Sequence, residues 1–182
     1  PLNAYPASKV FVPVNKEMLL KNGTVNATDS VVSEMRFDLP QRSLYKNDLA
    51  ILNIIAANAW KRPIYFTSPY GELGFGQYLR KDGLAYRLVP VVNDYPQANW
   101  VIDQALRQMQ SRTQISANNT DTMYNNLMEK YEFGGANKKG TYFDEENRRH
   151  LLDIREVFAE AAGNIADKGD KEKAQKLLEK VG

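Results

Sequence analysis

The sequence predicts an α/β domain, with α+β as the variant, followed by a tetratricopeptide-like helical hairpin. Short alternating or β-branched runs, punctuated by proline and glycine, recur as far as residue 92, and one long apolar helix lies among them. From residue 144 the pattern changes to amphipathic helices around a Lys168-Gly169-Asp170 turn. The expected body, residues 1–110, is a small mixed sheet of about four strands with flanking helices. Residues 111–182 form a helical region ending in an antiparallel pair.

Taken in order, Lys9 to Val14 alternates Val10, Val12 and Val14 against Lys9, Phe11 and Pro13, the pattern of a strand. Pro13 lacks an N–H and puts that strand at a sheet edge. Asn15 can cap a short helix that ends at Asn22-Gly23. Ser33 to Leu39 places Met35, Phe37 and Leu39 on one face, a second strand able to pair with the first. From Asp48 to Trp60 apolar residues cover more than one stripe, which predicts a helix buried around most of its circumference. Asn47 or Asp48 would cap it, and Arg62-Pro63 would end it.

Ile64 to Phe66 reads as a brief strand, Tyr78 to Lys81 as a short helix closed by Gly83, and Leu84 to Val92 as another strand. Arg87 lies among the apolar residues of that last strand, so its charge should turn to water or meet a carboxylate. Helical spacing recurs over Trp100 to Met109 and over Asp121 to Tyr131. In the final pair, Ala161, Ala162 and Ala174 permit close helix approach, with Phe158, Ile165 and Leu178 around the contact.

Composition removes several function classes. A chain of 182 residues, 43% hydrophobic and 25% charged, can bury a core without metals or disulfides. The net charge of +2 supplies no field to recruit nucleic acid, so no nucleic-acid partner is expected. Cysteine is absent, which excludes thiol catalysis and thiolate zinc sites. His150 is the sole histidine and lies among Glu145, Glu146, Arg148 and Arg149, the pattern of a solvated helix face. No cofactor is expected, and Pro1 in place of methionine reads as the start of a piece of a longer chain.

The candidate pocket is the loop Thr67 to Gly76, whose glycines can take positive φ or admit a close ligand. The candidate ligand contacts are Tyr70, Glu72, Phe75, Tyr78 and Arg87, because aromatic faces beside polar groups suit sugars and peptides. Core packing explains the same aromatics, and Trp60, Tyr65 and Phe66 are assigned to the core. GELGFG lacks the lysine and hydroxyl of a phosphate loop and is not a dinucleotide fingerprint. Asp48, Glu72, Asp82 and Asp94 leave a carboxylate-based carbohydrate-active enzyme as one alternative. A scaffold acting through the C-terminal hairpin is another.

Four ordered runs, NAWKRPIYF, GLAYRLVP, DTMYNNLMEKYEFGG and DEENRRHLLDIR, carry a family resemblance. They resemble the C-terminal extramembrane region of a Bacteroidota domain-of-unknown-function family of multi-pass membrane proteins similar to protein O-mannosyltransferases. The resemblance covers residues 9–182. It implies an accessory, non-catalytic domain on the periplasmic side of the inner membrane, which binds or positions acceptor polypeptide or glycan. Its implied partners are the membrane-embedded part of the same polypeptide and the acceptor protein or glycan. The resemblance assigns no catalytic residue here, because the catalytic acid of such enzymes belongs to membrane-side loops.

Overall fold

The computed structural model describes residues 7–40, 43–68, 70, 72–91 and 120–182. They fall into two compact units, one from Pro1–Arg80 and Ala85–Ala98, the other from Lys81–Leu84 and Asn99–Gly182. The class is α/β, with two small antiparallel sheets, flanking helices and a C-terminal helical pair. The boundary expected near residue 110 and the helix expected over Trp100 to Met109 lie outside the described residues.

In the first unit, β1 (Lys9–Pro13) pairs antiparallel with β2 (Glu34–Asp38), Phe11 standing opposite Arg36 and Val12 opposite Met35. The alternation works as the sequence implies: Val10 and Val12 are half-buried while Lys9, Phe11 and Pro13 are exposed. Between the strands lies α1 (Lys16–Lys21), where the Asn15 side chain accepts a hydrogen bond from Met18 N–H. The second sheet has the order β3-β5-β4, from β3 (Tyr65–Phe66), β4 (Leu79–Lys81) and β5 (Tyr86–Leu88). The described residues therefore make five short strands in two sheets, where alternation alone suggested one mixed sheet. A Val31–Val91 bridge lies outside both.

The central helix, α2 (Lys46–Asn58), begins two residues earlier than expected. Tyr45 is its cap, and the Asp48 carboxylate reaches back to Tyr45 N–H at 3.0 Å. Only one face is covered. Asp48 and Ile55 are buried and Ile51 and Leu52 half-buried, whereas Leu49 and Ile54 are 41% and 54% exposed. Apolar breadth therefore overstates how deeply this helix lies. Its end comes at Ala59 and Trp60, both left-handed at φ +46° and +63°, before the Arg62-Pro63 stop.

Tyr78 to Lys81 is not a helix. A single 3₁₀ turn (Gly76–Tyr78) leads into β4, since Leu79 must be extended to join the sheet. The core of this unit gathers Leu19, Met35, Phe37, Leu44, Leu73, Phe75 and Leu88.

The second unit is helical. It contains α3 (Thr120–Asn125), which widens into a π turn (Asn126–Lys130), then α4 (Glu145–Asp167) and α5 (Lys171–Val181). Ala161, Ala162 and Ala174 are buried with Phe158, Ile165 and Leu177, and Met123 and Leu127 complete the same core. Leu178, expected at the contact, is instead 48% exposed, because Leu177 occupies the inward position. His150 is exposed, 3.9 Å from Glu146.

The π turn is closed by Tyr131 N–H donating to Asn126 C=O at 2.9 Å. Its terminal carbonyls meet one ammonium, as Lys180 Nζ donates to Leu127, Met128 and Tyr131 oxygens at 2.7, 2.6 and 3.1 Å. Lys180→Met keeps the stem and deletes all three bonds, so it should cost about 2 kcal/mol in a denaturant melt.

Asp170 caps α5 by accepting from Lys173 N–H at 3.1 Å and pairs with the Lys173 ammonium. The hydrogen bonds from the Lys173 backbone and side chain hold its carboxyl below the usual carboxylate value. A lowered folded-state pKa gives stability that is present above the unfolded value and lost as pH falls through the folded one. Acidification should therefore fray the start of α5, read as lower amide protection factors at Lys171 to Lys173 once the intrinsic pH dependence of exchange is divided out. Asp170→Asn should flatten that pH dependence.

Candidate functional site

The loop Thr67 to Gly76, with Pro69 and Gly71 outside the described residues, is largely spent on packing. Leu73 and Phe75 are fully buried, and Phe75 meets Phe37 edge-on with ring centroids 5.5 Å apart. Gly74, at φ +88°, lies so close to the Asp38 carbonyl oxygen that an added Cβ would collide with it. The glycines thus admit a backbone neighbour, not a ligand, at this position.

The five candidate contacts divide accordingly. Phe75 and Tyr78 are core residues instead of surface contacts, and the Tyr78 hydroxyl accepts from Arg36 N–H at 3.0 Å and donates to Arg36 C=O. Tyr70 is half-buried, stacks on Phe66 and donates its hydroxyl to Asp48 at 2.8 Å. Glu72 is exposed. Arg87 is buried, contrary to the expectation of a wet face, with Nη1 donating to Gly23 C=O at 2.8 Å and its guanidinium over the Tyr65 ring. A backbone carbonyl thus takes one donor of this buried cation, a partner that planar guanidinium geometry suits. Tyr65, assigned to the core, is 49% exposed and forms the outer side of that stack.

Of the candidate acids, Asp48 is fully buried and accepts from Tyr45 and Tyr70, a structural duty. Asp82 is buried in the second unit, where its carbonyl accepts from Asn126. Asp94 lies outside the described residues. No group of three or more His, Asp or Glu able to hold a metal occurs among the described residues.

An open groove lies elsewhere in the first unit, between β1 and the second half of α2. It has a volume of about 510 Å³, walled by Val10 to Asn15 on one side and by Leu52, Ile55, Ala56, Ala59 and Trp60 on the other. Ala56 and Ala59 leave the space because they carry only a methyl group.

The far end of the groove is fixed by the NAWKRP run. Trp60 Nε1–H donates to Pro13 C=O at 2.7 Å, Asn22 Nδ2 donates to Trp60 C=O at 2.8 Å, and Asn58 bonds both backbone groups of Arg62. These bonds hold two consecutive left-handed residues, each costing about 1–2 kcal/mol, in one conformation.

Residues 1–96, which contain β1, α2 and this entire groove, match the family model described as TMEM260-associated domain 2. The match covers more than half of the chain. The chain belongs to the TMEM260-associated domain 2 family. No curated protein and no solved structure matches it. In this family member the groove-forming elements lie inside the matched region and the helical pair outside it. Sequence reasoning missed the groove. Its only local signals are the exposed Phe11 of a proline-ended edge strand and the alanines of α2.

Proposed function

We propose that this chain is a non-catalytic extramembrane accessory domain of a glycosyltransferase-like membrane protein, and that the β1–α2 groove holds the acceptor. The observation that carries the reading is an open, mostly apolar groove built on rigid elements within the family-matched region. Membership of a TMEM260-associated family agrees with the resemblance to O-mannosyltransferase-like membrane proteins. No helix among the described residues is long and apolar enough to cross a membrane. The resemblance implies that the membrane-embedded part belongs to the same polypeptide. The periplasmic side and a Bacteroidota-type parent follow from the same resemblance.

The reading divides the labour: chemistry occurs at the membrane-embedded part, and this domain raises the local concentration of acceptor. In the parent membrane protein, Ala56→Trp should raise the KM for a polypeptide acceptor and leave kcat unchanged. The isolated chain should show no turnover. Transfer by the isolated chain, or an unchanged KM in the Ala56→Trp protein, would overturn the reading.

A further inference from the structure

We infer that the groove receives an extended polypeptide segment as an added β-strand, with apolar residues at alternate positions and a carboxylate at the Lys9 end. This inference rests on the groove being the ligand site and specifies the ligand. The first observation is the hydrogen-bond phase of β1. Val14 N–H donates to Ser33 C=O at 3.0 Å and Leu39 N–H to Ser8 C=O at 2.7 Å, so residues 8, 10, 12 and 14 turn their backbone groups toward β2. Lys9, Phe11 and Pro13 turn theirs to the outer edge.

That edge is read once already. The Pro13 carbonyl takes the Trp60 indole N–H, and Pro13 has no N–H of its own, so the strand is closed at this end. The N–H and C=O groups of Lys9 and Phe11 have no partner among the described residues. By contrast, the outer edge of β2 at Arg36 is covered by Tyr78 and Gln77. The open groups carry alternating partial charges, donor and acceptor, along an otherwise apolar wall. The backbone of another extended chain complements that pattern, as in strand addition at a sheet edge.

Side chains of such a chain would alternate between the groove and solvent. The inward ones would lie over Leu52, Ile55 and Ala56, which selects apolar residues at every second position. Charge sets the end: the Lys9 ammonium has no ion-pair partner among the described residues, whereas Arg36, 5.7 Å over the exposed Phe11 ring, is already paired with Glu34. The open Lys9 ammonium favours an acidic residue there.

The test titrates the full chain with a short peptide of alternating valine and serine carrying glutamate at both ends, with amide exchange as the readout. Saturable binding with slowed exchange at Lys9 and Phe11 is the expected result. N-methylating the central peptide bonds should weaken binding roughly tenfold, the loss of one or two backbone hydrogen bonds, and replacing the glutamates with lysine should also weaken it. Binding that tolerates N-methylation, or that leaves both edge amides unprotected, would overturn strand addition while leaving the groove as a ligand site. So would binding of a mannose oligosaccharide alone, or protection arising from self-association of two β1 edges. Ala56→Trp, which should fold because it fills open space, must abolish peptide binding; retained affinity would remove the groove as the ligand site.

Discussion

Gly74→Ala should lower stability by about 2–4 kcal/mol, a loss out of proportion to one methyl group. Two costs combine. The residue has φ +88°, which an L side chain rarely adopts, and the new Cβ would drive into the Asp38 carbonyl at the end of β2. Neither can relax cheaply, because Leu73 and Phe75 on either side are fully buried and anchor the loop. In a thermal melt of a chain this size the midpoint should fall by roughly 5–15 °C. Gly163→Ala is the matched control. Gly163 lies within α4 with open space at its Cβ, so that substitution should instead stabilise by about 0.5–1 kcal/mol. Equal effects at the two positions would mean that the loop is not packed against β2.

Phe75→Ala should cost about 3–5 kcal/mol, since the side chain is fully buried against Phe37, Phe66 and Tyr70 and the cavity left behind cannot close fully. Phe11→Ala should change stability by no more than about 0.5 kcal/mol, because that ring is 54% exposed. The two phenylalanines therefore separate folding from function. Phe11→Ala should weaken peptide binding in a protein that melts normally, whereas Phe75→Ala should lower the melting point without a specific effect on the groove. Urea denaturation and peptide titration of both variants check this together.

The parts legible in the sequence are those set by local rules. The β1 alternation, the Asn15 cap, the β1–β2 pairing and the small residues between α4 and α5 each follow from neighbours a few positions apart. The parts misread depend on distant partners. Loop glycines look like a ligand-binding feature until the Asp38 carbonyl is placed beside Gly74, a neighbour 36 positions away in the chain. Arg87 looks solvated because one of its partners is the backbone carbonyl of Gly23, and backbone groups leave no mark in a residue pattern.

The groove has the same origin. It exists because a helix with alanines at one end lies beside a strand whose outer edge is bare, and only the tertiary structure brings those features together. Likewise, Leu49 and Ile54 look like core residues by spacing and are exposed because only one face of α2 is covered.

Ligand should bind the first unit at the β1–α2 groove and not at the glycine-bearing loop. Amide shift mapping by NMR, during titration of the chain with an unfolded Ser/Thr-rich polypeptide, tests it most directly. Saturable shifts should run over Lys9 to Asn15 and Leu52 to Lys61, with the Trp60 indole among them. Shifts confined to Glu72 to Tyr78, or none in either region, would contradict it.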